Sequence, residues 1–183
     1  MHKLILLIFA LALTSGCATS KKLGADVEAY DETLHLVKKL QKRPGKEKLW
    51  LELTQTYPSA IQWFDSIIVS GASNEQAKMK WVNTYSQMMR VNAMTDSVMT
   101  IPGWDSHITD LRTYTENLDS IKVLAADECI SQAQFLNKYN NKATLRIAVF
   151  YLDKAEELVP EHAEIGKLRT EIVDKLSVKQ HKD

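Results

Sequence analysis

The sequence predicts an all-α chain of antiparallel helix pairs, arranged either as a solenoid or as an irregular helical bundle. Three observations carry this. Apolar residues recur at spacings of three and four along most of the chain, the period of one buried helix face. Glycine and proline are few, at 6 and 4 in 183 residues, and sit mostly between the periodic segments. The remainder is rich in Leu, Ala, Lys, Glu and Gln, the stronger helix formers. Short connections between the periodic segments make neighbouring helices antiparallel.

The first helix is expected from about Ala25 to Lys42, with Val27, Tyr30, Leu34, Val37 and Leu40 on one stripe, and Arg43-Pro44-Gly45 stops it. A second begins near Lys46 and turns Leu49, Trp50, Leu53 and Tyr57 inward. Pro58 then suits the first turn of a third helix, where a missing N–H costs little. That helix runs to Ser70 and carries Ala60, Ile61, Phe64, Ile67 and Ile68, and Ser70-Gly71-Ala72 breaks it.

Ser73 and Gln76 have capping-box spacing and open a fourth helix that runs to Met99. Its stripe is Ala77, Trp81, Tyr85 or Thr84, Met88, Val91, and Met94 or Thr95. Ile101-Pro102-Gly103 ends it, and Asp105 or Ser106 caps the next. Ile108, Leu111, Thr115, Leu118, Ile121, Ala125, Cys129, Gln132, Phe135, Leu136 and Tyr139 then keep helical spacing, with a break near Ala125 or Asp127 left open. After the turn Asn140-Asn141, a sixth helix (142–158) buries Leu145, Ala148, Val149, Leu152 and Ala155. Pro160 separates it from a last one (161–178) with Ile165, Leu168, Ile172 and Leu176 inside, and residues 179–183 fray.

The N-terminus reads differently. A basic start through Lys3 leads into the uncharged run from Leu4 to Leu13, then the small residues Thr14, Ser15 and Gly16, then Cys17. This is the order of a secretory signal. The run is too short to cross a bilayer core, which takes about 20 residues. The order resembles a bacterial lipoprotein signal, whose lipobox ends in small residues and a cysteine; it departs from the commonest form in placing Thr14 where a larger aliphatic residue is usual. The resemblance implies diacylglycerol attached to Cys17, cleavage before it and acylation of the new amino group. Several acyl chains hold a membrane firmly where one does not. No Asp follows Cys17, and no acidic run. By the same resemblance this implies a chain held on the outer membrane and facing the periplasm. The expected organisation is a signal peptide over 1–16, a lipidated Cys17 and tether over 17–24, a helical domain over 25–178 and a frayed tail.

Lysine plus arginine equals aspartate plus glutamate, 23 against 23, which argues against a nucleic-acid binder with its basic stripe. With Cys17 lipidated, Cys129 has no partner within the chain, so no disulfide framework forms. In a helical pattern it reads as a small buried apolar residue, with a reactive thiol as the alternative.

The segment 129–162 resembles a tetratricopeptide unit. Phe135 takes the Leu place of the opening half and Tyr139 the Tyr place; Ala148, Leu152, Ala155 and Pro160 follow in register, while Gln132 and Leu136 replace the usual Trp and Gly. Trp50-x₂-Leu53-x₃-Tyr57 resembles a second opening half. The runs Tyr57-Pro58-Ser59-Ala60, Ala72-Ser73-Asn74 and Lys80-Trp81 resemble helical-repeat lipoproteins of Gram-negative envelopes, a little-characterised group. Apart from the lipobox cysteine these resemblances imply packing and bring no site residue.

No catalytic constellation stands out. His35, His107, His162 and His181 lie far apart, without the i, i+4 pairing of a helical zinc site. Glu156-Glu157 and Glu161…Glu164 read as a wet helix face. Gly-rich phosphate loops and nucleophilic hydrolase signatures are missing. Five of six methionines fall between Met79 and Met99, as core filler or as an adaptable surface. Trp63, Met89 and Trp104 are the candidate partner surface. The expectation is a non-enzymatic, lipid-anchored periplasmic scaffold that binds a protein or peptide, with no metal and no cofactor besides the lipid on Cys17. The alternative is a small-ligand-binding or enzymatic envelope lipoprotein.

Overall fold

The computed structural model describes residues 28–139 and 141–178. The signal, Cys17, the tether, Val27 and His181 lie outside the described residues, as do Asn140 and the tail from residue 179. Every regular element described is helical. Helix α1 covers residues 28–42. It is followed by α2 (Glu47–Ser73), α3 (Lys80–Met99), a short 3₁₀ turn (Trp104–Ser106), α4 (Leu118–Asn137), α5 (Lys142–Leu158) and α6 (Ala163–Val178). The chain divides into two compact units. Unit 1 runs to Ser66 and resumes over Val91–Thr113; unit 2 comprises Ile67–Arg90 and everything from Tyr114. The divisions fall inside α2 and α3.

In unit 1, α1 buries Thr33, Leu36, Val37 and Leu40, spaced three and four apart. Leu34 is only partly covered, so the buried stripe is rotated slightly from the expected one. The expected helix end at Pro58 is overturned. α2 runs unbroken through Pro58, and through Gly71 as well. The reason is the phase of its apolar residues. Trp50, Leu53, Tyr57, Ala60 and Phe64 keep one 3.6-residue stripe across the proline, and all are buried. A proline inside a helix costs about 3 kcal/mol. Each large side chain buried on an unbroken face returns about 1.5–3 kcal/mol. Pro58 itself is exposed, so its ring meets solvent.

The long helix expected from Ile108 is overturned too. Residues 107–117 form no helix, and α4 starts only at Leu118. This segment carries Thr109, Asp110, Thr113, Thr115 and Asn117, residues whose branching or short polar side chains disfavour helix interiors. At Arg112 its backbone is satisfied from elsewhere. The Arg112 N–H donates to the Tyr57 hydroxyl at 3.0 Å, and the Thr95 hydroxyl donates to the Arg112 carbonyl at 2.7 Å. Since Thr95 has a single hydroxyl proton, Tyr57 is the donor in the 2.9 Å bond between the two side chains. The three bonds close a ring. Tyr57 is 1 % exposed and Thr95 not at all. Before this segment, Gly103 takes φ 79°, a left-handed conformation that suits glycine, and opens the 3₁₀ turn in place of the expected Asp105 or Ser106 cap.

Unit 2 has a continuous core. Ala126, Cys129, Ile130 and Ala133 of α4 meet Leu145, Ala148, Leu152 and Ala155 of α5, and Ile165, Leu168 and Ile172 of α6. The alanines let α4 and α5 approach closely. Asn141 caps α5, its side-chain oxygen accepting from the Thr144 N–H at 2.9 Å. Arg169 ties α6 to α5 through Asp153 at 2.6 Å and Glu156 at 2.8 Å.

The start of α3 also differs from expectation. Ser73 makes no capping box; its hydroxyl donates back to the Val69 carbonyl. Asn74 instead accepts from the Gln76 N–H, and α3 begins at Lys80. Its free N-terminal donors are met from another helix. The Glu128 carboxylate of α4 accepts from the Trp81 N–H at 3.0 Å and the Val82 N–H at 3.1 Å. A carboxylate at a helix N-terminus is favoured by the peptide dipoles as well as by the hydrogen bonds. Met79, just before α3, holds φ 56° and packs against the unit 2 core.

Two stability changes follow. Pro58→Ala returns an N–H that can donate to the Thr54 carbonyl, so thermal unfolding should shift upward, by up to about 3 kcal/mol. An unchanged midpoint would mean the helix already accommodates the proline at no cost. Tyr57→Phe removes the buried hydroxyl that accepts from the Arg112 N–H and donates to Thr95, and should lower stability by about 0.5–1.5 kcal/mol for each bond lost, read in a urea titration. A midpoint equal to the parent's would remove the ring from the account of unit 1.

Candidate functional site

Each unit presents surface features that core packing does not require. In unit 1 they surround the turn between α1 and α2. Six of the residues 38–48 are cations (Lys38, Lys39, Lys42, Arg43, Lys46 and Lys48), and Glu47 is the one acid among them. Lys39, Lys42, Arg43, Lys46 and Lys48 line a cleft of about 500 Å³, together with Leu49. All five cations are exposed. Lys48 has Glu52 at 3.9 Å, a weak pairing on one helix face. Among the described residues, no carboxylate lies within ion-pair distance of the other four.

The turn is held rigidly from below. The buried Trp50 indole N–H donates to the Pro44 carbonyl at 2.6 Å. Its ring stacks on His107 with centroids 4.1 Å apart and planes within 9°. The Lys46 N–H closes the turn onto the Arg43 carbonyl at 3.2 Å. The basic run is plain in the sequence as six cations in eleven residues, but reading those residues only as a helix stop passes over it.

Unit 2 carries half-exposed aromatic rings. Phe135 is 49 % exposed, Tyr139 57 % and Phe150 54 %. Phe135 and Tyr139 stand edge to face at 5.2 Å, and the Lys154 ammonium lies 5.9 Å over the Phe150 ring. In the repeat register Phe135 and Tyr139 would be packing residues, yet the core closes without either ring. The closing positions of that register, Ala148, Leu152 and Ala155, are fully buried.

A second cleft, of about 380 Å³, lies in unit 2 and is lined by residues that include Gln134, Asn137, Glu164, Lys167 and Glu171. Most of its polar groups are already engaged with one another. Asn137 donates to Glu171 at 2.9 Å, Lys175 donates to both Glu171 and Asn137, and Gln134 donates to Glu164. The hydrogen bonds from Lys175 and then Asn137 hold the Glu171 carboxyl below its usual range. That stabilisation is present above the ordinary value of 4.5 and fades as pH falls through the lower folded value.

Of the residues singled out from sequence, Trp63 is half-buried and rests against Phe64 at 4.8 Å. Trp104 is half-buried in the 3₁₀ turn, and Met89 is 41 % exposed. Met88 and Met94 fill the interior. Thr84, not Tyr85, is the buried member of the α3 stripe, and Met94 and Thr95 are both buried. His107 stacks on Trp50, and His162 faces Asp127 at 3.1 Å. Glu156 and Glu157 pair with Arg169 and Lys154. Among the described residues no three His, Cys, Asp or Glu side chains group as metal ligands. Nor is any described helix long and apolar enough to cross a membrane.

Cys129 is 1 % exposed in the α4–α5–α6 core. Burial, with the Glu128 charge beside it, pushes its thiol from 9.0 up to about 11. The small buried apolar role therefore holds over the reactive one. Native protein at neutral pH should leave the Cys129 peptide unlabelled by maleimide, with full labelling only in denaturant. Stability should also fall as pH rises from 9 towards 11, because the unfolded thiol ionises first. Rapid labelling of the folded protein would show a core that opens locally.

No family model, curated protein or solved structure matches the chain.

Proposed function

We propose that this chain is a lipid-anchored envelope protein, held through Cys17 on the periplasmic face of the outer membrane, whose helical body binds a protein partner. The observation that carries the binding role is the trio of half-exposed rings Phe135, Tyr139 and Phe150. Aromatic rings are enriched among residues that dominate interface energies, and here they are left over after the core is complete. The order of Lys3, the apolar run, Gly16 and Cys17 supports the anchor. The tetratricopeptide-like register of 129–162 agrees with a body built to present helix faces.

The polar cleft in unit 2 favours a second reading, a small-ligand binder. It ranks lower because its amide and carboxylate groups satisfy each other, so a ligand would have to displace existing hydrogen bonds.

The test is purification of the tagged chain from its own envelope in mild detergent after reversible cross-linking. The expected result is one stoichiometric protein partner, lost in a variant carrying Phe135→Ala, Tyr139→Ala and Phe150→Ala. Retention of the partner by that variant would move the surface elsewhere, with Trp63, Met89 and Trp104 next to be replaced. A folded chain that is recovered alone would favour the small-ligand reading. The mass of the N-terminal peptide should show acyl chains on Cys17, and Cys17→Ala should accumulate uncleaved.

A further inference from the structure

The cations of the α1–α2 turn ask for an explanation that helix stability does not provide. Lys39 and Lys42 in the last turn of α1, with Arg43 just beyond, complement the carbonyls exposed there. Lys46 and Lys48 do not. They flank and enter the first turn of α2, where the peptide dipoles already place positive charge and where cations are disfavoured. Five like charges are thus gathered on one cleft, four of them without a described carboxylate in ion-pair range, on a turn pinned by Trp50. Such an arrangement gathers positive potential on one small surface and favours an anion there.

We infer that the turn Arg43–Lys46, with Lys39, Lys42 and Lys48, is a docking surface for anionic phospholipid headgroups of the membrane that holds the chain. Three observations favour a membrane over a protein partner. The cleft is open, and the described residues that line it are five cations and Leu49, with no aromatic ring of the kind that anchors a protein hot spot. Long flexible cations around an open cleft suit a delocalised negative surface, where each contributes independently. And the reach is sufficient. Residues 17–27 span at most about 40 Å when extended, and α1, 15 residues long, adds about 22 Å. The turn therefore lies within range of the bilayer at Cys17. The identity of the surface rests on the lipid-anchor reading; the anion preference of the turn does not.

The consequence is a second, reversible point of attachment. The acyl chains hold the N-terminus, and the turn lays the C-terminal end of α1 and the first turn of α2 on the headgroups. Its strength falls with ionic strength, because exposed charges are screened within about a Debye length.

The experiment uses the full chain purified from the envelope and placed in bilayer nanodiscs. One set is phosphatidylcholine alone, and the other is phosphatidylcholine with phosphatidylglycerol. Lysine acylation is read peptide by peptide, and the mass of the Cys17 peptide scores the anchor separately. Lys39, Lys42, Lys46 and Lys48 should label several-fold more slowly on the acidic discs than on the neutral ones. High salt, at about 0.5 M, should erase the difference. A variant with Lys42→Gln, Arg43→Gln and Lys46→Gln should weaken the contact by roughly two orders of magnitude. Its protection is read at Lys39 and Lys48. Should any variant unfold, the salt arm on the parent protein decides alone. Equal labelling on both discs overturns the proposal, whether or not Cys17 carries lipid. Equal protection on both discs overturns it as well. Protection by millimolar inorganic phosphate without acidic lipid would make the turn a free-anion site, and protection that appears only with a copurified protein would assign it to that partner.

Discussion

Unit 1 depends on a closed ring of three hydrogen bonds. Tyr57, Thr95 and the Arg112 backbone satisfy one another at 2.7–3.0 Å with the two side chains essentially inaccessible. The ring joins the middle of α2 to α3 and to the irregular segment beyond it. Most of that segment runs over the surface, as irregular segments do, and Ile108 is its one buried residue. Here a phenol and a hydroxyl provide both the acceptor and the donor that Arg112 needs. The segment can then press Ile108 into the interior, at 6 % exposure, without forming a helix. The same segment delivers His107 to the face of Trp50, and Trp50 in turn fixes Pro44. Rigidity at the basic turn thus derives from packing two steps away.

Unit 2 solves a comparable problem with a charge. Glu128 from α4 takes up two of the first N–H groups of α3. That fixes the entry of α3 on α4 more narrowly than apolar contact alone, since hydrophobic burial has no direction. It also places a carboxylate next to Cys129 in sequence. The raised thiol follows from burial first and from this charge second. One acidic residue therefore orients a helix and helps silence the neighbouring cysteine.

These two devices mark where sequence legibility stops. Helix faces were legible, because burial follows a 3.6-residue period that needs no tertiary knowledge. Thus Leu53, Phe64, Val91, Leu145, Leu152 and Ile172 are all where their spacing puts them. Pro58 reads as a helix boundary by local punctuation alone, whereas the apolar stripe continuing on both sides of it decides for one helix. Residues 107–117 misled because apolar spacing alone does not record where backbone groups find partners; the donors and acceptors sit 17 and 55 residues away in sequence. Ser73 misled because a hydroxyl satisfies a carbonyl within its own helix as readily as it caps the next one. Nothing near Trp81 and Val82 in sequence points to Glu128, 47 and 46 residues on. As for the candidate surface, spacing cannot tell a half-buried Trp63 or Trp104 from an exposed one. Nor does it signal that Phe135 and Tyr139 stand outside the core in a register that would bury them.

Net charge hides more than it reveals in this chain. Equal numbers of cations and acids, 23 each, describe a neutral molecule at distances much longer than a Debye length, about 8 Å in physiological salt. At contact range the relevant quantity is local. Residues 38–48 hold six cations against one acid, whereas Asp153 and Glu156 on α5 are offset by Arg169. A balanced composition still argues against a long basic stripe of the kind that follows a nucleic-acid backbone. It says little about a patch the size of one turn. What separates that patch from an ordinary solvated run is its support: lysines at the wrong end of a helix dipole, carried on a backbone locked by a buried indole. Exposed charges cost little when each is free to move apart from its neighbours. Charges rooted close together on a rigid turn keep their stems within about a Debye length of one another however the side chains flex, and an opposing negative surface relieves the repulsion that remains.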